Sequence, residues 1–138
     1  MLSLLRRCAS SWAECQPGEF DTALVRHVYD VWRIATSCPE AIAPAAGVFA
    51  ASVAKDVAEF GRQHLEFGDD PFGVLRRTLE VAATHDGLKA NFQERLIPLL
   101  YAQEKPDYDT CFAAFAKVAH CLLDHCTVRQ GTAADALA

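Results

Sequence analysis

The residue types best suited to chemistry cluster near the carboxyl end of the chain, at His120, Cys121, Asp124, His125 and Cys126. On a helix, residues four apart share a face, so His120 pairs with Asp124, and Cys121 pairs with His125. Such pairs can hold a metal ion when further ligands converge from elsewhere. No other spacing in the sequence supplies those ligands, and a polar, thiol-rich helix end has the same pattern. We therefore expect no metal and no cofactor, with a metal-binding or sensory module as an alternative.

A nucleophilic cysteine is the second kind of chemistry that the residue types allow. Cys111 with His85 is the candidate pair. Cys111 lies inside an apolar helical pattern, whereas reactive thiols favour exposed, electropositive helix starts. The sequence has no phosphate-binding loop, nucleophile elbow or zinc-protease motif. We therefore predict a protein that is not an enzyme, and we interpret the acidic pair at Asp69 and Asp70 as a helix cap.

The composition is that of an ordinary globular domain. The chain has 138 residues, of which 51% are hydrophobic and 22% charged, and its net charge is −5. These values fit a single domain spanning residues 1–138. No stripe of Lys and Arg interleaved with aromatic residues occurs, so we expect no nucleic-acid partner. No apolar run approaches the roughly 20 residues that cross a bilayer, so we also expect no membrane span.

The cysteines and the amino terminus bear on location. Six cysteines without a C-x-x-C pair fit a reducing compartment, where a free thiol behaves as a small hydrophobic side chain. The apolar stretch after Met1 is too short for a signal peptide, and its arginines follow that stretch instead of preceding it. Glu14 and Glu19 argue against a mitochondrial presequence. The prediction is a cytoplasmic protein.

Helical periodicity divides the chain into apolar segments separated by Pro, Gly and Asp. The segment at residues 88–103 is apolar around most of its circumference and is expected to be the most buried element. Pro98 lies inside it and should kink or split it. Residues 1–16 hold an additional helix, and residues 127–138 should fray. The sequence predicts an all-α bundle of six to seven helices around a central apolar hairpin, with helices at residues 2–14, 21–36, 40–67, 72–84, 88–103 and 108–126.

Two surface features could bind a protein partner. Tyr29, Trp32 and Arg33 are residue types that anchor interfaces, and packing of Trp32 in the core is the equal alternative. The apolar faces of two later segments could line a groove for a partner helix, with ordinary core packing as the favoured alternative. The candidate groove residues are Phe49, Val53, Val57, Phe60, Leu75 and Leu79, with Arg76 or Arg77 as the charge partner.

Three stretches of the chain share an order and spacing with a known family. The first is residues 24–33, in which aromatic and β-branched residues precede a Trp-Arg pair. The second is the Phe-Gly-Asp-Asp break at residues 67–70. The third is residues 96–102, followed after a short polar turn by residues 111–125. In order and spacing over about residues 20–126, the sequence resembles the Bcl-2-like intracellular virulence factors of poxviruses.

The resemblance implies a Bcl-2 fold used as an interaction scaffold without catalysis. Members of that family bind host proteins of innate immune signalling and block NF-κB or interferon pathways. Others bind pro-apoptotic BH3 helices and block cell death. The sequence lacks the Asn-Trp-Gly-Arg signature and the carboxy-terminal anchor of cellular anti-apoptotic proteins, which favours the signalling inhibitor. The resemblance also implies the host-cell cytoplasm as the location, and a homodimer to which Tyr29 and Trp32 contribute.

Apoptosis inhibition is the alternative function that the resemblance leaves open. A BH3 peptide would insert its apolar anchors into the candidate groove, and its Asp would meet an Arg there. The groove side chains are bulky enough to fill the cleft themselves, and no small-Trp-Gly-Arg turn is present. We therefore expect BH3 peptides to bind weakly or not at all, and partners to use an outer helical surface.

Overall fold

The computed structural model describes the backbone of residues 1–15 and 18–135, and the side chains of these residues as far as Cys126. Throughout this part of the chain the secondary structure is helical, with no strand, which confirms the all-α prediction. Its α-helices are α1 (Leu2–Trp12), α2 (Arg26–Ser37), α3 (Ile42–Phe60), α4 (Leu65–Asp69), α5 (Pro71–Ala83), α6 (Asp86–Asn91) and α7 (Tyr108–Asp135). Short 3₁₀ turns lie at Thr22–Val25, Pro39–Ala41 and Ile97–Leu99, and a π turn lies at Phe92–Leu96.

The start of α5 shows how the sequence fixes a helix boundary. The Gly73 N–H donates to the Asp70 carboxylate at 2.9 Å, and Pro71 occupies the first helical position. Proline fits there because the first N–H groups of a helix have no acceptor within it. The interpretation of the acidic pair as a helix cap is confirmed for Asp70.

The central helix of the fold is α7. Helices α2, α3 and α5 pack against it, and α1 packs on α5. Tyr108 ties the start of α7 to α5, since its hydroxyl donates to the Ala82 carbonyl at 2.8 Å. Burial of apolar side chains is the dominant favourable contribution to folding. Among the side chains of α7 described as far as Cys126, those buried are Tyr108, Cys111, Phe112, Phe115, Val118, Ala119, Leu122, Leu123 and Cys126.

The predicted helix at residues 88–103 is not one helix, and the central hairpin built on it is not formed. Helix α6 ends at Asn91, and the chain continues as a π turn and a 3₁₀ turn that ends at Leu99. The expected effect of Pro98 is a helical run that ends at Leu99, because this residue has no N–H and crowds the preceding turn, but the α-helix is already interrupted at Asn91. Leu99 is 72% exposed and Tyr101 is fully exposed. The prediction that this segment is the most buried element is therefore wrong.

Helices lie near both ends of the described chain. The amino-terminal helix expected within residues 1–16 is present as α1, and its Leu4 and Leu5 are buried in the core. At the other end, α7 continues to Asp135 instead of fraying from residue 127. No Pro interrupts this stretch, and extension of an existing helix is much easier than nucleation of a new one. Residues 136–138 lie outside the described residues.

Helix α3 and the turn before it form an apolar segment. Pro39–Phe60 is long and apolar enough to cross a bilayer, with a mean hydropathy of 1.3 over its best window, of which 17% is buried. The expectation that no segment reaches this length and composition is wrong, because many weakly apolar Ala residues add up to the same hydropathy as fewer large ones. Length and composition alone do not place the helix in a membrane, since Phe49 and Val53 belong to the core.

Candidate functional site

A cavity of about 480 Å³ lies between the turn Thr22–Val25 and the two turns that follow α6. We name it the arginine cleft, because Arg26 and Arg95 both line it. Its other lining residues are Thr22, Ala23, Val25, Leu96 and Leu99. A cavity of this size is within the range of sites that take a small molecule or the side chains of a peptide.

Local sequence features hold the walls of the arginine cleft. The Asp21 carboxylate accepts a hydrogen bond from the Ala23 N–H at 3.0 Å, which fixes the first turn. Val25 and Leu96 are buried, so each wall is anchored in the core. The second wall is formed by Arg95, Leu96 and Leu99. Pro98 prevents the helix from continuing through this wall, so the chain changes direction after Leu99.

The arginine cleft carries two positive charges in a chain whose net charge is −5. Arg26 donates to the Asp30 carboxylate at 3.3 Å, in an exposed pair of a kind that contributes little to stability. Arg95 forms no ion pair with any residue that the structure describes. Arg26 and Arg95 are therefore the donors that the cleft offers to an anion such as a carboxylate.

Two exposed apolar side chains follow Pro98 in the chain, and the first of them lines the arginine cleft. Leu99 lines the cavity and is largely exposed, and Tyr101 follows it with a fully exposed ring. The loop that carries them is tied back by Lys105, whose amine donates to the Ile97 carbonyl at 2.9 Å. Exposed apolar side chains beside a concave site are typical of a partner-binding surface. The lining holds no acid or base that titrates near neutral pH, so the arrangement is suited to binding.

The predicted interface residues lie together on α2. The Tyr29 and Trp32 rings have centroids 5.5 Å apart, and the Arg33 guanidinium lies 5.8 Å from the Trp32 ring. Both aromatic residues are half-buried and pack against the core. Trp32 thus combines core packing with an accessible edge. Its part in a homodimer or partner interface stays a prediction.

The environment of His27 on α2 shifts the pKa of its imidazole. Burial lowers the pKa of its imidazole below the ordinary 6.5, and the positive amino terminus nearby lowers it further. Asp30 and Asp21 act in the opposite direction, and Arg26 acts with the amino terminus. His27 is therefore neutral at pH 7 and adds no charge to this side of the molecule.

Most of the predicted groove residues are core residues. Phe49, Val53, Leu75 and Leu79 are each at most 7% exposed. These residues pack in the core, as the alternative interpretation of the sequence predicted. Their side chains fill the space that a partner helix would need. Val57 is half-buried against the same core.

Ion pairs lie at the edges of the predicted groove face of α3 and α5. Arg6 of α1 donates to Asp56 at 2.9 Å, and its guanidinium lies 3.6 Å from the Phe60 ring. Arg76, one of the two predicted charge partners, donates to Asp124 at 2.8 Å. Arg77, the other predicted charge partner, pairs with Glu66. The structure therefore gives this face no open site comparable to the arginine cleft.

The chemistry-bearing residues at the end of α7 do not converge. Asp124 is engaged by Arg76, and Cys126 is buried in the core. Among the described residues, no group of three or more His, Cys, Asp or Glu side chains is placed to hold a metal ion. The exposed members of the cluster are His120, Cys121, Asp124 and His125.

Cys111 and His85 do not form a catalytic pair. Cys111 is fully buried, and burial raises the pKa of its thiol to about 12. The His85 ring instead accepts a hydrogen bond from the Leu88 N–H at 3.2 Å and stacks on Trp12. The thiol is protonated and inaccessible, which makes it a poor nucleophile.

A buried polar pair that sequence spacing could not reveal joins α1 to the segment before α4. The Ser10 hydroxyl and the His64 Nδ1 are 3.5 Å apart, although 54 residues separate them in the chain. His64 borders a cavity of about 230 Å³, where Arg77 and Glu66 already pair with each other. A catalytic Ser–His pair also needs a group that orients the imidazole, and no described carboxylate bonds to His64. We interpret the pair as a structural contact.

Comparison of the chain with protein-family models, with curated proteins and with solved structures found no match. The arginine cleft is therefore the observation on which a function has to rest.

Proposed function

We propose that the protein is a non-enzymatic interaction module that binds an acidic segment of a partner protein at the arginine cleft. The observation that carries this proposal is the cleft itself, an apolar cavity of about 480 Å³ with two guanidinium groups. Exposed Leu99 adds apolar surface at this place, and exposed Tyr101 follows it two residues later in the chain. Arginine and aromatic residues dominate the binding energy of protein interfaces, so these residues have the right composition for a docking site.

The cleft fits a partner segment in which a carboxylate neighbours an apolar side chain. The carboxylate would be held between Arg26 and Arg95, with fork-shaped donors that match its two oxygens. The apolar side chain would contact Leu96 and Leu99, and burial of a group the size of Leu contributes about 2 kcal/mol. The combination explains why charge and apolar surface occur together at the cleft.

We further propose that the partner is a host protein of innate immune signalling, and that the chain acts in the host cytoplasm as a Bcl-2-like inhibitor of NF-κB activation. The all-helical fold and the resemblance of residues 20–126 to the poxvirus family support this reading. An inhibitor of that kind needs no catalytic group, because it acts by covering the surface that its partner uses.

The binding of BH3 helices is the alternative function. Such a helix carries an Asp among apolar anchors, which are the two groups that the arginine cleft accepts. We nevertheless expect BH3 peptides to bind weakly or not at all, because core residues fill the groove face of α3 and α5. Calorimetry with BH3 peptides separates the functions. A sub-micromolar affinity that Arg95→Glu abolishes would make apoptosis inhibition the function.

The test of the leading proposal compares two charge reversals. Arg95→Glu reverses the cleft arginine that has no described ion pair, and Arg62→Glu is the matched control on an exposed residue outside the cleft. We expect the wild type to capture a partner from mammalian cells and to lower an NF-κB reporter, Arg62→Glu to do the same, and Arg95→Glu to lose both effects. Capture and reporter activity that survive Arg95→Glu would place the binding site elsewhere.

A further inference from the structure

The outer face of α3 is apolar but lies in solvent. It is the face directly opposite the core residues Phe49 and Val53 on the helix circumference. Val48 on this face is 61% exposed. A surface helix ordinarily presents charged and polar residues outward, so this face has the character of an uncovered interface. The residues that form the outer face are Pro44, Gly47, Val48, Ala51, Lys55 and Ala58, all exposed.

We propose that a second copy of the chain covers the outer face of α3, with the two helices antiparallel about a two-fold axis between Gly47 and Val48. In this arrangement Val48 of each copy faces Gly47 of the other. A Cβ atom added to Gly47 would meet no atom within 4 Å, so the space beside it is open to the Val48 side chain. Pro44 and Ala51 face each other in the same register, and their small size lets the helices approach closely.

The charged residues at the two ends of the outer face also favour the antiparallel arrangement. Glu40, in the turn before α3, and Lys55 are exposed, and neither forms an ion pair within the described part of the chain. They lie at equal distances on either side of the proposed axis. Antiparallel packing therefore brings each Glu40 opposite Lys55 of the second copy, twice per dimer. Parallel packing would set Glu40 against Glu40 and Lys55 against Lys55, which is repulsive.

A lipid bilayer could also cover an apolar helix, but the residue types on the outer face of α3 are not those of a membrane-binding helix. A helix that lies at a membrane surface carries large apolar or aromatic side chains, with Lys and Arg on the polar side. The outer face has Val48 as its one large apolar residue, and Lys55 lies within the face. Insertion of α3 across a bilayer would also remove Phe49 and Val53 from the core.

Sedimentation of charge-reversal variants over a range of protein concentrations tests the proposal. We expect the wild type to dimerise, and Lys55→Glu or Glu40→Lys alone to weaken the dimer about tenfold, since each creates two like-charge contacts. The double variant E40K/K55E should restore the dimer. Lys117→Glu, an exposed residue of α7, is the matched control and should leave dimerisation unchanged. Gly47→Leu should also break the dimer, while it favours the helix itself.

Far-UV circular dichroism establishes that each variant is folded. A wild type that stays monomeric at millimolar concentration would overturn the proposal, as would a dimer that both single reversals leave intact. A dimer that Trp32→Ala breaks and Lys55→Glu does not would move the interface to α2. Binding of a monomeric wild type to vesicles of neutral phosphatidylcholine would make a lipid surface the occupant.

Discussion

The position of α7 at the centre of the fold can be tested with two truncations of large apolar residues. Phe115 on α7 is fully buried, and its ring stacks on Phe112 with a centroid distance of 5.4 Å. Leu99 belongs to the segment that hydrophobicity alone would place at the centre, yet it is 72% exposed. Phe115→Ala and Leu99→Ala therefore distinguish the two possible centres.

The expected magnitudes differ by several kcal/mol. Phe115→Ala removes a buried ring and leaves a cavity, which lowers the free energy of unfolding by about 4 kcal/mol. Since a domain has a total stability of only about 5–15 kcal/mol, this loss would lower the melting temperature by about 15 °C. Leu99→Ala removes atoms that already contact water, so we expect a change within about 0.5 kcal/mol.

Urea unfolding followed by circular dichroism measures both values. Equal slopes of the free energy against urea concentration are needed for the comparison, because a changed slope would mean a changed denatured or native state. If Leu99→Ala destabilised the protein as much as Phe115→Ala, the central position of α7 would be refuted. A folded Phe115→Ala protein with the wild-type midpoint would refute it as well.

Two further predictions concern the local features of the fold. Asp70→Ala removes the cap of α5 and should destabilise the protein by about 1 kcal/mol in urea unfolding, whereas the neighbouring Asp69→Ala should have little effect. Equal effects of the two would contradict the cap. The pKa of His27 is lowered by folding, so the unfolded chain binds a proton more readily and stability should fall as the pH drops below 6.5. His27→Gln should flatten this part of the pH profile, and an unchanged profile would exclude His27 as the cause.

Local signals in the sequence were sufficient where a boundary depends on neighbouring residues. The Asp-Pro pair at Asp70 and Pro71 predicts the start of α5, since both the cap and the proline act within one turn. Pro98 predicts the end of the helical run at Leu99 for the same reason, whereas the end of α6 at Asn91 has no such local signal. The all-α class follows from helical periodicity along most of the chain, and it needs no knowledge of tertiary contacts.

The choice of the central helix and of the site depends on distant contacts. Residues 88–103 and 108–126 are both apolar, and periodicity cannot tell which of them other helices surround. The same limit applies to the arginine cleft, because Arg26 and Arg95 come from different parts of the chain and neither belongs to a motif. The His and Cys cluster of α7 shows the reverse case, in which a suggestive spacing does not bring its members to one point.

The arginine cleft and the outer face of α3 lie on different elements and share no residue. A dimer formed through α3 would therefore carry two arginine clefts, one from each copy. When a partner offers two acidic segments, binding of the first raises the effective concentration of the second at the other cleft. Such a dimer can hold a multimeric partner tightly although each cleft alone is a small site. Each surface would still act without the other, since Arg95 contributes nothing to the α3 contact and Lys55 nothing to the cleft.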